Sequence, residues 1–499
     1  MMDVLGHLGY GFHIALAPIN ILYAFIGCVV GTLIGVLPGI GPAGGMALLI
    51  PLTYGKEPAS AIILLSGIYY GAMYGGSTTS ILVNIPGEAA SVVTCLDGYQ
   101  MARQGRAGAA LAIAAIGSFI AGTIGVVFLM FMGPPLANVA LKFGPAETFA
   151  LMVFGLSMVT SLSGRCLRKG LVSLVLGLIM ATIGVDLPTG VMRFTLGVPK
   201  LMEGFDVIVV AIGLFAVSEI LTCTEELGTG EYVYHKLSRV WITMREFLDS
   251  LGAILRGSLL GFFIGVLPGA AHVTASFLSY TLEKKFSKHP ERFGQGEIRG
   301  VAAPESANNA AACGAMIPLL TLGLPASAVT SVLYGALLMV GVRPSPMLFQ
   351  KYPEVVWGLI ASMYIGNVML LILNLPMVGI WVKLLRTPPR WLFPIVLAIS
   401  FVGVYGVNNS ALDLIIATML GVLGYFMRKA DYPLAPVILG LVLGDNLEQA
   451  VRQALMISGG SLDIFAQSPI AIGLFVLAGV VMVAPKLIYR KGVKLETET

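Results

Sequence analysis

The scarcity and clustering of charge constrain this chain more than any other feature of its sequence. Charged residues make up 11% of the 499 residues and hydrophobic residues 57%, whereas about a quarter of an ordinary soluble domain is charged. A soluble fold of this length could not cover so much apolar surface with polar groups. The apolar stretches between charges are long enough for one or two spans of about 20 residues each, so the pattern predicts an all-α polytopic protein of the lipid bilayer with about 10 to 14 transmembrane helices.

The basic residues gather in short clusters, such as Arg103 with Arg106 and the group at 486–494. Lys and Arg in short loops mark the cytoplasmic side of a membrane protein, so we expect these clusters, and with them the C-terminus, to be cytoplasmic. The net charge of +4 reflects this loop bias and does not indicate nucleic-acid binding. The five cysteines include no C-x-x-C pair, so neither a zinc site nor a disulfide framework is predicted.

An internal repeat divides the chain. Residues 31–39 read GTLIGVLPG and residues 261–269 read GFFIGVLPG, which differ at only two positions. A weaker match aligns 75–86 with 314–325. The offset between the aligned positions grows from 230 to 239, which an insertion in the charged loop 283–299 would explain.

The repeat predicts two homologous transmembrane halves, at 1–222 and 250–499, with a polar connecting loop at 223–249. Duplicated membrane domains whose apolar segments are broken by Gly and Pro at matching places are typical of secondary transporters. In hydrocarbon a helix is broken only where protein or a wet cavity satisfies the freed backbone groups. The freed helix ends then offer N–H groups and dipole ends to ions.

Four segments, each broken by Gly or Pro, contain the candidate site residues. They lie at 37–42 and 267–272, which hold the two Pro-Gly breaks, and at 75–88 and 304–327. Each combines Gly or Pro with polar or small side chains. Their Ser, Thr and Asn side chains supply neutral oxygens and amides, a mixture suited to a carboxylate with an accompanying sodium ion. The predicted substrate- and ion-binding residues are Pro38, Gly39, Gly41, Ser77, Thr78, Thr79, Asn84, Pro86, Gly87, Glu88, Pro268, Gly269, Asn308, Asn309, Pro325 and Ser327. The alternative interpretation is that these segments are kinks and small-residue helix contacts, which membrane bundles use widely.

Acidic residues in membrane segments are costly and usually have a purpose. Glu88 lies inside a broken hairpin and is a site candidate, with a structural role as the alternative. Glu305, next to Pro304, and Asp97 fall in flanking loops, where we expect them to be solvated. His272 follows the second Pro-Gly break, either as a structural histidine or as a pH-sensitive group of the site. The sequence contains neither an H-E-x-x-H pair nor a P-loop motif, and no catalytic residue is predicted.

Four long strings of the sequence carry a resemblance to a known family. They are GTLIGVLPGIGPAGGMALLIPLTYG (31–55), GIYYGAMYGGSTTSILVNIPGEAASVVT (67–94), DGYQMARQGRAGAALAIAAIGSFIAG (97–122) and GVAAPESANNAAACGAMIPLLTLGLPASAVTSVLYGAL (300–337). The chain resembles, over essentially its whole length, the large membrane subunit (TctA type) of the tripartite tricarboxylate transporter family. It differs at Ala270-Ala271-His272, where the family tends to carry a second Gly-rich turn.

The resemblance implies a function that periodicity alone does not. Subunits of this kind work with a small membrane subunit (TctB type) and a periplasmic substrate-binding protein (TctC type) in the bacterial inner membrane. Uptake is driven by an ion gradient, commonly sodium, without ATP and without another cofactor. Substrates across the family include citrate, other di- and tricarboxylates and aromatic acids. The two halves are expected to be inverted repeats whose broken hairpin tips meet near the membrane midplane.

Two other functions stay open at this point. A stand-alone secondary carboxylate transporter or exchanger would need no binding protein. An intramembrane enzyme, such as a lipid-linked transferase, would need a cluster of catalytic acids or histidines within the membrane, and the sequence offers none. The favoured prediction is therefore the permease of a three-part carboxylate importer.

Overall fold

The computed structural model describes residues 2–37, 41–84, 86–157, 166–186, 189–226, 240–267, 271–384, 394, 397–398, 401–402, 404–405 and 409–490. The part of the chain that the structure describes is 81% helical. In the described part, five helices are long and apolar enough to cross a membrane by length and composition. The predicted fold class, an all-α polytopic membrane protein, is thereby confirmed, whereas the number of full spans stays a prediction.

Most of the described elements are helices. The α-helices are α1 (Met2–Ala15), α2 (Pro18–Val36), α3 (Gly41–Leu49), α4 (Pro58–Val83), α5 (Val92–Thr94), α6 (Gln100–Arg103), α7 (Ala107–Ala140), α8 (Pro145–Ser157), α9 (Leu167–Ala181), α10 (Val207–Ala211), α11 (Ser218–Glu226), α12 (Met244–Val266), α13 (Ala271–Phe286), α14 (Arg299–Leu322), α15 (Ala328–Met339), α16 (Leu348–Lys351), α17 (Pro353–Asn374), α18 (Val378–Leu384), α19 (Ala411–Lys429), α20 (Ala435–Ile457), α21 (Ile464–Gln467) and α22 (Pro469–Arg490). Short 3-10 helices lie at Ile50–Thr53, Ala89–Ser91, Pro199–Glu203 and Pro290–Arg292, and π-helical turns at Cys95–Tyr99 and Ile212–Val217. Strands β1 (Gly184–Val185) and β2 (Met192–Arg193) form one antiparallel ladder.

The chain divides into two compact units. The first unit combines Met1–Ala140 with Ile208–Phe426, and the second combines Leu141–Val207 with Met427–Thr499. The predicted halves, 1–222 and 250–499, are defined by similarity between their sequences, whereas the two units are defined by spatial contacts. The units therefore do not test the halves, which stay a prediction. Helices α11 and α12 end and begin within the predicted connecting loop 223–249.

In the first unit, helices α2 and α4 pack backbone to backbone through glycines. A Cβ atom on Gly31 would lie 2.4 Å from the carbonyl oxygen of Ile68, and one on Gly35 would lie 2.3 Å from that of Ala72. Small residues let membrane helices approach this closely. The sequence separation between partners stays constant along the pair, so α2 and α4 run parallel.

Helices α12 and α14 make the same kind of contact. A Cβ atom on Gly261 would lie 2.2 Å from the carbonyl oxygen of Ala307, and one on Gly265 would lie 2.4 Å from that of Ala311. The separation is again constant, so α12 and α14 also run parallel. Each of these contacts has a counterpart between α2 and α4. Adding 230 to the residue number of the α2 glycine and 239 to that of its α4 partner gives the contact between α12 and α14. These two numbers are the offsets of the sequence repeat.

Two further features agree with those offsets. The later helix of each pair ends on a left-handed residue at a matched position, Asn84 (φ 59°) and Gly323 (φ 67°). Helices α4 and α14 pack against each other and run antiparallel. Ser77 contacts Glu305, whereas Tyr70, earlier in α4, lies beside Cys313, later in α14. The parallel pair α2–α4 is therefore inverted with respect to the parallel pair α12–α14, which supports the predicted inverted repeat.

Three of the predicted cytoplasmic segments meet at one end of the first unit. Arg106, just before α7, forms a 2.6 Å ion pair with Glu246 in the first turn of α12. The Gln104 side-chain amide donates a 2.7 Å hydrogen bond to the carbonyl oxygen of Gln295, which precedes α14. Because these segments include or adjoin three of the basic clusters, their common location agrees with a shared side of the membrane.

The second unit is built around the pair α9 and α20. A Cβ atom on Gly177 would lie 2.0 Å from the carbonyl oxygen of Val437, so these helices also cross at glycine. The β1–β2 hairpin is held to α20 by charge: Asp186 pairs with Arg452, and the two Arg452 nitrogens lie 3.2 Å from Asp186 and 2.6 Å from Glu448.

Candidate functional site

Part of the predicted site lies outside the described residues. Pro38, Gly39, Pro268 and Gly269 belong to the two Pro-Gly breaks that follow α2 and α12, and nothing is described between 37 and 41 or between 267 and 271. Gly41 begins α3 with a φ of 64°, a left-handed conformation that glycine adopts without strain.

Helix α4 is unbroken where the sequence suggested a break. Ser77, Thr78 and Thr79 lie inside it and are at most 4% exposed. The preceding Gly75 packs against α2, where its Cβ would meet the Thr32 carbonyl oxygen at 2.3 Å, so it serves helix contact and does not end the helix. The chain leaves the helix at Asn84, which caps it in the left-handed conformation.

The turn after α4 is packed tightly against the helices. A Cβ on Gly87 would lie 2.2 Å from the Gly35 carbonyl oxygen and 2.6 Å from the Gly76 Cα, so only glycine fits there. Pro86 precedes it, and Glu88 begins the next turn, where its backbone N–H donates to the Ser91 hydroxyl at 3.3 Å.

Helix α14 is likewise continuous over Arg299–Leu322, although it contains Pro304 and Pro318. Prolines are tolerated inside membrane helices where neighbouring groups satisfy the freed backbone. The break comes at Gly323, after which Pro325 leads to Ser327, the N-cap of α15. The Ser327 hydroxyl accepts from the Thr330 N–H at 3.3 Å, and the Ser327 N–H donates to the Thr330 hydroxyl at 2.7 Å.

Residues Asn308 and Asn309, both predicted, face two different neighbours from α14. The Asn308 side-chain amide donates a short hydrogen bond to the Glu88 carboxylate. The Asn309 amide donates to the Ser118 hydroxyl of α7 at 2.7 Å and to the Glu305 carbonyl oxygen at 3.1 Å. The structure thus brings Glu88, from the first predicted half, together with Asn308, from the second.

Glu305 is a central residue that sequence reasoning misplaced. It lies in the second turn of α14, is 1% exposed and accepts hydrogen bonds from two hydroxyls, Ser77 at 2.5 Å and Thr94. The expectation of a solvated Glu305 is wrong because α14 begins at Arg299, ahead of Pro304. One signal could have found it: Glu305, Asn308 and Asn309 have the i, i+3, i+4 spacing of a single helix face.

Asp97 is also buried, against expectation. One of its carboxylate oxygens accepts backbone N–H groups from Gly294, Gly296 and Glu297 at 2.8–2.9 Å, and the other accepts the Tyr280 hydroxyl at 2.9 Å. Backbone amides replace the water that the charged group would otherwise need. Asp97 therefore joins the π-helical turn before α6 to the loop before α14 and has a structural role.

His272 lies beside the turn that precedes α15. Its Nε2 is 2.5 Å from the Tyr69 hydroxyl of α4, and the two rings stack with centroids 5.7 Å apart. The Ser327 side chain also lies close enough to interact with that hydroxyl. Tyr69 was not predicted from the sequence, since an aromatic residue in an apolar run carries no polar signature.

Several buried oxygens and one ring nitrogen of this region have no hydrogen-bond partner among the described residues. They are Ser306 Oγ, Asn308 Oδ1, Asn309 Oδ1 and His272 Nδ1. Buried polar groups without partners are rare and point to a bound water or ion. A cavity of about 10 Å³, room for one water, lies nearby and is lined by Ser77, Thr78 and Ser118 among others.

The electrostatics of this region are unusual for a membrane core. Glu88 and Glu305 are 7% and 1% exposed, and neither forms an ion pair with a described Lys, Arg or His. Uncompensated acids in a membrane protein mark ion pathways or binding sites. Together with Asn308, Asn309, Ser77, Thr94, Tyr69, His272 and Ser327 they form what we name the polar centre of the first unit.

Comparisons with known proteins agree with the resemblance of the sequence. The model of the Tripartite tricarboxylate transporter TctA family matches residues 21–439. An Agrobacterium vitis protein, "Uncharacterized 52.8 kDa protein in TAR-I ttuC' 3'region", is 47% identical over 95% of this chain and 94% of its own length. A second, "Uncharacterized protein in TAR-II ttuC' 3'region", is 48% identical over 43% of this chain and 88% of its own length. No solved structure matches the chain.

Proposed function

We propose a function from one premise: the chain belongs to the Tripartite tricarboxylate transporter TctA family. It is a multi-pass membrane component of a tricarboxylate transporter. We propose that it is the permease of a binding-protein-dependent importer, that it carries a di- or tricarboxylate inward with sodium, and that it is not an enzyme. A TctB-type membrane subunit and a TctC-type periplasmic protein would complete the system in the bacterial inner membrane, with the C-terminus of this chain in the cytoplasm.

The observation that carries this proposal is the polar centre. Acids, amides and hydroxyls are buried together in the first unit, although every one of them is costly in a membrane core. A structural role alone would favour full hydrogen-bond pairing, yet Asn308, Asn309 and His272 each keep an atom that has no hydrogen-bond partner in the described part of the chain. Such a centre is what a membrane protein needs to replace the hydration of a transported solute.

The predicted inverted repeat gives the proposal its geometry. Two helix pairs packed by matched glycine contacts, and running in opposite directions, bring their two hairpin turns towards the same centre. In secondary transporters, inverted repeats with broken helices form the substrate and ion sites near the membrane midplane. We therefore propose that the predicted halves are inverted repeats and that Glu88 and Ser327 mark the two hairpin turns of the transport site.

The substrate carboxylate has a suitable partner at the start of α15. The backbone N–H groups of a helix N-terminus and its dipole favour an anion. His272, with an unpartnered ring nitrogen, and Tyr69 lie beside Ser327. We propose that a carboxylate group of the substrate binds at this N-terminus, with these side chains around it.

The test is uptake by purified components. The chain, with a TctB-type membrane subunit, is reconstituted into proteoliposomes, and uptake of labelled citrate and of smaller dicarboxylates is measured with and without a TctC-type periplasmic binding protein. We expect little uptake at low substrate concentration from the membrane subunits alone, and uptake on addition of the binding protein and an inward sodium gradient. Saturable uptake by the isolated chain would instead favour a stand-alone transporter.

A further inference from the structure

The two hairpin turns of the polar centre correspond position by position but differ in charge. The offset of 239 that relates α4 to α14 also relates Glu88 to Ser327 and Ser91 to Thr330. In both turns the first residue donates its backbone N–H to the hydroxyl three residues later, at 3.3 Å and 2.7 Å. The two turns therefore share the same hydrogen-bond pattern, but their first residue has a carboxylate in the first half and a neutral hydroxyl in the second.

The residues that face these turns correspond in the same way. Asn308 of α14 contacts Glu88, and the matched Tyr69 of α4 lies beside Ser327. Each turn is thus met by one side chain from the helix of the opposite half. The acidic turn is contacted by the Asn308 amide, which has both a donor and an acceptor. The neutral turn is contacted by the Tyr69 hydroxyl, which is also hydrogen-bonded to His272.

Within the described residues, the acidic turn has no counter-charge. Glu88 is 7% exposed, and no described Lys, Arg or His pairs with it. The second acid, Glu305, lies near enough for the two charges to interact unfavourably. Both oxygens of Glu305 already accept hydroxyl hydrogen bonds, so Glu88 has the carboxylate that is less fully engaged.

An independent observation indicates what the acidic turn binds. Asn308 is 1% exposed and uses its amide N–H to reach Glu88, while the oxygen of the same amide group has no hydrogen-bond partner among the residues that the structure describes. A buried amide oxygen held beside a carboxylate is a ligand pair for a hard cation. No group of three His, Cys, Asp or Glu side chains comes together in the described part of the chain, which favours a monovalent ion over a transition metal.

We propose that the polar centre divides its ligands between its two turns, and that Glu88 and the Asn308 amide oxygen bind the coupling sodium ion at the first. The neutral turn at Ser327 is then left for the carboxylate of the substrate. This assignment rests on the proposed function, and it specifies which acid binds the cation. The ion neutralises Glu88, partners the free oxygen of Asn308 and ties the two halves together.

The experiment measures sodium binding without substrate. Thermal unfolding of the purified full-length chain in nanodiscs is followed as NaCl replaces choline chloride at constant ionic strength, since a ligand that binds only the folded state raises the unfolding temperature. Glu88→Gln keeps the size of the side chain and an oxygen for the Asn308 amide. Asn308→Ala tests the second ligand without touching the acid, and size-exclusion profiles verify that each variant is folded.

One control separates the site from general effects of charge. Glu57→Gln removes an exposed acid at the N-cap of α4 that makes no side-chain cap hydrogen bond. Ser327→Ala is not a control: it tests the matched neutral turn, which the proposal assigns to the substrate. We expect sodium to stabilise the wild type and Glu57→Gln, and the half-saturating sodium concentration to rise at least about tenfold in Glu88→Gln and Asn308→Ala, the loss expected when a contact to a charged group is removed.

Three results would overturn the assignment. Unchanged sodium stabilisation in both Glu88→Gln and Asn308→Ala would show that the ion binds elsewhere. Loss of stabilisation in Ser327→Ala to the same degree would remove the division between the turns. A wild type insensitive to sodium but stabilised by lower pH in a Glu88-dependent way would assign a proton to the turn. Because no substrate or partner is present, each result is independent of whether carboxylate uptake itself is reconstituted.

Discussion

The side-chain amide of Asn308 donates a hydrogen bond to the carboxylate of Glu88, 220 positions away in the sequence. The contact joins a helix of the second predicted half to a hairpin turn of the first. Both residues are buried, and the contact lies in the polar centre, so it is the natural place to test whether that centre acts in transport.

Substitutions at Asn308, in the polar centre, and at Thr78, which lines the adjoining cavity, are predicted to impair uptake more than assembly. Asn308→Ala and Thr78→Val each remove a polar group, and the loss of a hydrogen bond to a charged ligand costs about 1.5–3 kcal/mol, or roughly ten- to a hundredfold in affinity. The concentration dependence of uptake in proteoliposomes measures the effect. Leu259→Val, on an exposed position of α12, is the control and should leave uptake near the wild-type level. Uptake at the wild-type level in both polar variants would show that Asn308 and Thr78 do not bind the transported solute.

The glycine contacts are predicted to be essential for folding. A Cβ at Gly31 or Gly261 would lie 2.4 Å or 2.2 Å from a backbone oxygen of the facing helix. The helices must then separate, and overpacking of this kind costs about 1–3 kcal/mol. Gly31→Ala and Gly261→Ala should lower the free energy of unfolding measured by SDS titration. Gly9→Ala has nothing within 4 Å of the added atom and should not. Equal stability of all three would contradict the described packing.

The basic clusters are predicted to face the cytoplasm. Single cysteines beside Arg106, Arg168 and Lys288, in a background without native cysteines, should resist a membrane-impermeant thiol reagent in intact cells. Two further predicted positions, near Arg386 and Lys491, lie outside the described residues. A cysteine at Leu462, which is 70% exposed and follows the helix α20 that starts just after the basic pair Arg428–Lys429, should be labelled readily. The reverse pattern would invert the orientation.

The hairpin of the second unit is predicted to loosen in acid. A hydrogen bond from the Thr189 hydroxyl, and then contacts with Arg452 and Arg193, lower the pKa of Asp186 below its usual value. A lowered pKa in the folded state means that Asp186 contributes stability above its unfolded pKa and that this contribution is lost as pH falls through the folded value. Hydrogen exchange of residues 189–206 should therefore rise at acidic pH in the wild type. In Asp186→Asn it should already be high at neutral pH and change little with acid.

Several features of the fold could be predicted because short sequence motifs and their repetition indicate them. The GVLPG motif and the offsets of 230 and 239 were visible as letters, and the glycine contacts of Gly31 and Gly261 lie at those same offsets. Glu88, Asn308 and Ser327 could be proposed as site residues because polar residues near Gly and Pro stand out in an apolar chain.

The errors came from helix boundaries and from contacts between distant segments. Pro304 suggested a loop around Glu305, although a proline is tolerated when neighbouring helices satisfy the backbone. The burial of Asp97 depends on amides nearly 200 positions later. The pairing of Tyr69 with His272 depends on tertiary contact as well, and no local pattern reports it.

A structure of the transporter with bound substrate and sodium tests directly whether the polar centre is the transport site. We expect substrate density between the turns of the polar centre, with a carboxylate group at the start of α15 beside Ser327. We also expect an ion between Glu88 and Asn308. Substrate density far from both turns would show that the polar centre is not the transport site and would identify the breaks as helix kinks.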